Sequence, residues 1–272
     1  MSHKRPVFQN RRVRFSAIAL IGLAALCFLG PVLASNTYFE QSLLGAQGPS
    51  FLHWFGTDEL GRDLFVRILY GGRISLTIGL AGTVVAVLFG TLYGCLAGYI
   101  GGRTDFLLMR FVDGIYPLPF TMIVILLLTL FGRNIWLLFF AIGSVRWLTL
   151  ARIARNEACV LKQRPFVESA RALGQSDIGI LFKHILPNLA GTLIIYATLT
   201  VPNIILEEAF ISFLGLGVQP PLSSWGILIQ DGARTLEEFP WLLLFPSLFF
   251  FSVLFFFNFL GDGLRDAIDS KC

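Results

Sequence analysis

Residues 165–188 read PFVESARALGQSDIGILFKHILPN, an amphipathic stretch set between long apolar ones. Pro165 opens it, Glu168 lies in its first turn, Gly174 breaks it and Pro187 closes it. These are the signals of two short helices joined by a sharp bend. Phe166, Val167, Ala170 and Leu173 fall at i, i+1, i+4 and i+7, which is one helical stripe. Pro165 suits a first helical turn and Glu168 its positive end. Gly174 suits a left-handed C-terminal position. Ser176 then caps a second helix through Ile185, which Pro187 stops. Such a hairpin is either a lid on the end of a helical bundle or a dock for a soluble partner, and the residues alone leave both open.

The chain around it is a membrane composition. Of 272 residues, 55% are hydrophobic and 14% charged, with a mean hydropathy of +0.73. Soluble domains carry about 25% charged residues. Without water in the hydrocarbon, backbone groups must bond within helices or a closed barrel. The apolar runs here are continuous and do not alternate every second residue, so they predict helices. Cys27, Cys95, Cys159 and Cys272 are scattered, as are the three histidines. Small buried hydrophobes are expected at the cysteines, and no disulfide framework or metal site.

Six spans are predicted, at 16–34, 74–100, 105–131, 135–154, 189–217 and 241–261. Each has at least ~19 residues, enough to cross a ~30 Å core. The expected class is an all-α polytopic membrane protein. Its division is a tail, first anchor and outer loop over 1–72, a core over 73–262 and a tail over 263–272. Val32-Leu33-Ala34 resembles a cleavage site, but the apolar run before it exceeds a signal peptide's ~7–15 residues, so a retained anchor is expected. Lys4, Arg5, Arg11, Arg12, Arg14, Arg103, Arg110, the seven cations from Arg146 to Lys183, Arg265 and Lys271 lie on one side. Arg62, Arg67, Arg73, Arg133 and Arg234 lie on the other. This asymmetry predicts that both termini and the 165–188 hairpin are cytoplasmic.

Several local expectations follow. Thr57 or Asp58 caps a short amphipathic helix over Leu64, Phe65, Ile68 and Leu69, lying on the membrane surface. Gly90, Gly94 and Gly98 form a small-residue face that another helix can approach closely. Pro117, Pro119 and Pro202 kink their spans. Ionisable residues inside spans are functional candidates. Asp113 and Arg146 sit at similar depth on consecutive helices, about 12–14 Å from the inner face, and are expected to pair, with Arg110 competing for Asp113. Glu207 and Glu208 fall about 28 Å from the inner face. That depth predicts solvated carboxylates at a helix end, or a vestibule acid that meets a substrate's amino group.

No Gly-Lys-Ser/Thr phosphate loop occurs, since none of the four lysines follows a glycine. HExxH and GxSxG are also absent, and no nucleophile–base set can be assembled. A chain of this kind is not expected to be an enzyme, and any ATP it depends on must be bound by another chain.

Glu168-Ser169-Ala170, Gly174 and Ile185-Leu186-Pro187 resemble the EAA loop of ATP-binding-cassette (ABC) importer permeases. Ser169 replaces the family's middle alanine. Wider stretches resemble the C-type permease of dipeptide and oligopeptide importers: GTDELGRDLFVRILYGGRISL (56–76), AGYIGG (97–102), MRFVDGIYPLPF (109–120), FVESARALG (166–174), HILPN (184–188), FLGLGVQPPLSSWG (213–226) and GDGLRDAID (261–269). The match spans most of the chain from residue 56 onward.

The resemblance implies six helices of the type I importer permease fold in the cytoplasmic (inner) membrane. It implies a second, similar permease as partner, two cytoplasmic ATPase subunits and an extracytoplasmic peptide-binding protein. Peptide and membrane lipid are the remaining contacts, with no nucleic acid. It implies no cofactor on this chain, ATP and Mg being held by the ATPases. Glu168, Ser169, Ala170, Leu173, Gly174 and Pro187 are then the ATPase-coupling loop. Asp113, Arg146 and Glu208 are candidates for the translocation path or an intramembrane pair. The family has an acid at Glu208 but not usually at Glu207, and usually a small residue at Arg146. Nickel or another small solute is the alternative substrate. An ion-coupled secondary transporter would show inverted repeats or a broken-helix ion site, and neither is clear here. A membrane scaffold without transport is a third class, which purification of the chain without ATPases would favour.

Overall fold

The computed structural model describes residues 10–33, 37–132 and 134–269. Lys4, Arg5, Ala34, Arg133, Lys271 and Cys272, used above, lie outside the described residues. The described chain is helical: α1 (Arg11–Leu33), α2 (Leu64–Ile100), α3 (Gly102–Ile115), α4 (Phe120–Phe131), α5 (Ile135–Lys162), α6 (Pro165–Ala172), α7 (Asp177–Ile180), α8 (Leu186–Phe213), α9 (Trp225–Arg234) and α10 (Trp241–Asp269). Among the described residues, β-pairing is limited to one isolated bridge, Thr57–Asp63. Five helical stretches are long and apolar enough to cross a bilayer, and α3 with α4 makes a sixth bent by 80°. The break falls where Pro119 removes a backbone donor and holds Leu118 away from helical geometry. Pro202, in contrast, lies inside α8 without ending it.

Helix α2 is the central post. One apolar cluster joins its start to α1, α8, α9 and α10 through Leu64, Ile68, Leu69, Ile205, Trp225 and Phe250. A second joins its middle to α4, α5 and α8 through Ile78, Val124, Ile142 and Ile204. A third joins its end to α5 and the hairpin through Cys95, Ala154, Val167, Ala170 and Ile185. The small-residue face of α2 meets α5. A Cβ added at Gly90 would stand 2.7 Å from Leu150 Cβ, and one at Gly98 would stand 3.0 Å from Ala158 Cβ. The missing side chains let the two backbones touch, as expected of such a face.

Two boundaries differ from the sequence expectation. Residues 64–72 are not a separate surface helix but the first turns of α2, so a division at 72/73 cuts through one helix. The cap is Asp63, which accepts from Val66 N at 3.1 Å. Leu64, Ile68 and Leu69 are at most 1% exposed, so they are core and not lipid-facing. Thr57 and Asp58 instead fasten the preceding loop. Thr57 Oγ1 donates to Gly45 O at 2.8 Å, and Asp58 Oδ1 accepts from Leu60 N and Arg62 N at 2.9 Å. At the other end, α10 continues to Asp269, so 263–269 prolong that helix beyond the expected sixth span.

Pro187 does not stop a helix either. α7 passes through a π-helical turn, Leu181–Ile185, straight into α8, with Pro187 in the first turn of α8. Proline cannot donate to the carbonyl four residues back and its ring crowds that carbonyl. The wider π turn relieves that crowding and lets the helix continue.

Candidate functional site

The hairpin forms as its sequence dictates. Gly174 has φ +78°, the left-handed region that glycine enters freely. Gly174 N donates to Arg171 O at 3.0 Å and Gln175 N to Ala170 O at 3.2 Å, the paired bonds of a Schellman C-cap. Ser176 Oγ accepts from Gly179 N at 3.2 Å and starts α7. The predicted stripe divides in two. Val167 and Ala170 are buried against α2 and α5, while Leu173 is 84% exposed and Phe166 is also exposed. Ile178 and Phe182 are exposed beside them, and Glu168, Ser169 and Arg171 face solvent.

Polar bonds tie the hairpin to the spans. Tyr99 Oη, at the end of α2, donates to Asp177 at 2.6 Å. Its hydroxyl also raises the Arg171 guanidinium pKa, through a side-chain hydrogen bond first and charge second. His184 and Gln175 bond at 2.7 Å across the bend. One face of the hairpin is thus welded to α2 and α5, and the other offers apolar side chains among charges.

Inside the spans, two acids behave differently from the expectation of solvated carboxylates. Glu208 is fully buried. Ser212 Oγ donates to its Oε1 at 2.6 Å and Ser75 Oγ to its Oε2 at 2.9 Å. Ser75 in turn accepts from Trp225 N at 3.3 Å, and Ser224 Oγ donates to Ser212 Oγ at 3.3 Å. In this conformation Glu208 is therefore a knot between α2, α8 and the start of α9, closed to any vestibule. Trp225, also fully buried, donates from Nε1 to Ile68 O at 3.0 Å.

The expected Asp113–Arg146 pair does not form, and Arg110 does not take Asp113. Asp113 accepts from Arg152 at 2.6 Å, and Arg152 also lies 3.9 Å above the Tyr116 ring. Arg110 stacks on Phe106 instead. Equal depth was inferred for a straight third span; the 80° bend lays α3 across the end of α5, so Asp113 meets a later arginine. Asp105 pairs with Arg155 on the same helix. Arg146 pairs with Glu207 and lies 5.6 Å from the Phe120 ring. The signal that finds these pairs is one of matched charge: two acids on α3 and two arginines on the second half of α5.

At the opposite end from the hairpin, Asp58 bonds Arg62 Nε at 2.7 Å and pairs with the buried Arg67. With Asp231 and Thr235 they line a cavity of about 220 Å³. Burial raises the Asp231 carboxyl pKa, while Arg67 and Arg62 pull it down. His53 Nδ1 meets Asp63 at 2.8 Å, bracing the residue that caps α2. Among the described residues, no group of three or more His, Cys, Asp or Glu is placed to hold a metal.

A bundle of apolar helices with a half-exposed amphipathic hairpin at one end is that of a multi-pass membrane protein. Residues 90–272 match the family described as binding-protein-dependent transport system inner membrane component, and the chain belongs to that family. It is 48% identical over 271 residues to the oligopeptide transport system permease protein OppC of Haemophilus influenzae, covering 98% of this chain and 87% of the relative. It is 49% identical over 271 residues to OppC of Escherichia coli strain K12, covering 98% and 90%. It is 42% identical over 269 residues to the dipeptide transport system permease protein DppC of Bacillus subtilis, covering 96% and 84%. The six-helix expectation and the observed bundle agree with this membership.

Proposed function

We propose that the chain is the permease subunit of an ABC importer that moves di- and oligopeptides inward across the cytoplasmic membrane. The observation that carries this reading is near-full-length similarity at 42–49% identity to oligopeptide and dipeptide permeases. The hairpin agrees with it. Its exposed face carries Glu168, Ser169, Leu173 and Gly174, while its buried face holds Ala170. In this reading two ATPase subunits dock there and hold ATP and Mg, this chain having no phosphate loop of its own. A second permease completes the bundle, and an extracytoplasmic binding protein delivers the peptide. The termini and hairpin face the cytoplasm, as Lys/Arg placement suggests; Arg146 drops out of that count because it lies near the middle of α5, unlike the cations of its last turns.

Transport then works by rigid-body rocking of a bistable bundle. ATP shifts it by binding one state more tightly than the other. Reconstituted with its partners in vesicles, the importer is expected to take up labelled tripeptide with ATP and to stop with vanadate. Uptake that survives vanadate but fails with an uncoupler assigns the chain to ion-coupled transport instead. Nickel uptake in place of peptide would move it to the other substrate.

A further inference from the structure

The Arg146–Glu207 pair lies in a demanding place. Arg146 is 11 residues into α5, about 16 Å from its start, and Glu207 is six residues, about 9 Å, from the end of α8. Arg146 thus lies well inside its span, while Glu207, about 28 Å along its own from the inner face, lies near the far edge of a ~30 Å core. The Arg146 side chain nevertheless keeps 32% of its exposure and that of Glu207 12%, so the pair sits at the surface of this chain. A charged pair at that depth is costly against lipid and is stable against water or a protein-lined path.

The face of α8 that carries Glu207 supports this. Tyr196, Thr200, Asn203 and Glu207 are spaced four, three and four apart, which places them on one side of the helix. Tyr196 and Asn203 are exposed and Thr200 and Glu207 partly so. They form a polar line along a membrane span, ending at the ion pair.

The pair is also incompletely bonded. Arg146 Nε and Glu207 Oε2 are buried with no hydrogen-bond partner. A buried polar atom left unpaired is unfavourable, so both atoms are open to a further hydrogen-bond partner. The two atoms are an N–H donor and a carboxylate acceptor, complementary to the C=O and N–H of a peptide unit. Phe120, the first residue of α4, has its ring 5.6 Å from the Arg146 guanidinium.

We infer that Arg146 and Glu207 are a charge-balancing element of the translocation path, which keeps it indifferent to the charge of the peptide's side chains. Two opposite charges side by side offer hydrogen bonds to any peptide backbone while presenting no net charge. Removing one partner leaves a bare charge in a narrow, low-dielectric passage, where it acts strongly on a passing charge. This inference rests on the peptide-importer reading.

The test uses the complete importer with its own binding protein and ATPases. Uptake of Ala-Lys-Ala and Ala-Glu-Ala is compared, and the binding protein's preference cancels when each variant is divided by wild type. Arg146→Gln is expected to raise the Lys/Glu uptake ratio about tenfold, and Glu207→Gln to lower it about tenfold. The swapped pair, Arg146→Glu with Glu207→Arg, is expected to return the ratio to within about twofold of wild type. If Arg146→Gln does not accumulate, the sign of the shift in Glu207→Gln and the reversal in the swapped pair decide. Equal losses for both peptides, with an unchanged ratio, would show a purely structural pair and overturn the inference. Failure of wild type to take up either peptide would instead overturn the peptide-importer reading.

Discussion

Gly174→Val is expected to abolish peptide uptake by the assembled importer while leaving the chain in the membrane at wild-type abundance. Gly174 holds φ +78°, a region that costs a β-branched residue ~1–2 kcal/mol or more. The strain falls on the two bonds that end α6 and aim α7. No atom lies within 4 Å of a Cβ built at Gly174, so the substitution meets no core and leaves the spans alone. The exposed face of Phe166, Leu173 and Ile178 is then re-aimed while its buried side stays attached. ATP hydrolysis by the assembled complex should persist at a substantial fraction of its normal rate, since the proposed function puts its chemistry on other chains. Gly174→Asn is the control, because asparagine tolerates the left-handed region, and its uptake should stay within about twofold of wild type. Membrane abundance, uptake and hydrolysis measured together separate uncoupling from misfolding.

Gly94→Leu should act at the opposite extreme and remove the folded chain. At Gly94 the backbone of α2 rests on α5: an added Cβ would fall on the Ala151 carbonyl and 2.9 Å from Ala154 Cβ. Overpacking a core typically costs ~1–3 kcal/mol. Here the obstacle is backbone on a second helix, so the helices must separate and the seam at Gly90 and Gly98 opens with them. The expected result is little chain in the membrane and, for what remains, a Tm lowered by several degrees in detergent. Gly22→Leu is the matched control: it adds the same side chain to α1 with nothing within 4 Å, and should be silent. Wild-type abundance for Gly94→Leu would show that the α2–α5 contact does not organise the bundle.

What was legible in the sequence was local. Gly174 and Ser176 announced their turn and cap because a left-handed residue and an N-cap follow from the chain's own neighbours. The Gly90, Gly94 and Gly98 face was legible for the same reason, though its partner, α5, was not. The misreadings came from geometry that a linear count cannot hold. Asp63 rather than Thr57 or Asp58 caps α2, because the latter two are committed to the loop that Arg62 and Arg67 fold back on. Depth arithmetic placed Asp113 beside Arg146, but the bend between α3 and α4 delivers it to Arg152. Residue counting left Glu208 at a wet helix end, whereas three serines from two helices and a loop close around it. Pro187 reads as a stop unless a π turn before it makes room.

The hairpin is buried on one face and open on the other, and in the importer reading it is the transmitter between the ATPases and the bundle. Site-specific cross-linking within the assembled importer tests that claim most directly. A photo-reactive residue at Leu173 is expected to cross-link to an ATPase subunit, with a yield that changes when ATP is bound, while one at the buried Val167 links within this chain. Cross-links from Leu173 to lipid or to the second permease alone, unchanged by ATP, would contradict the account.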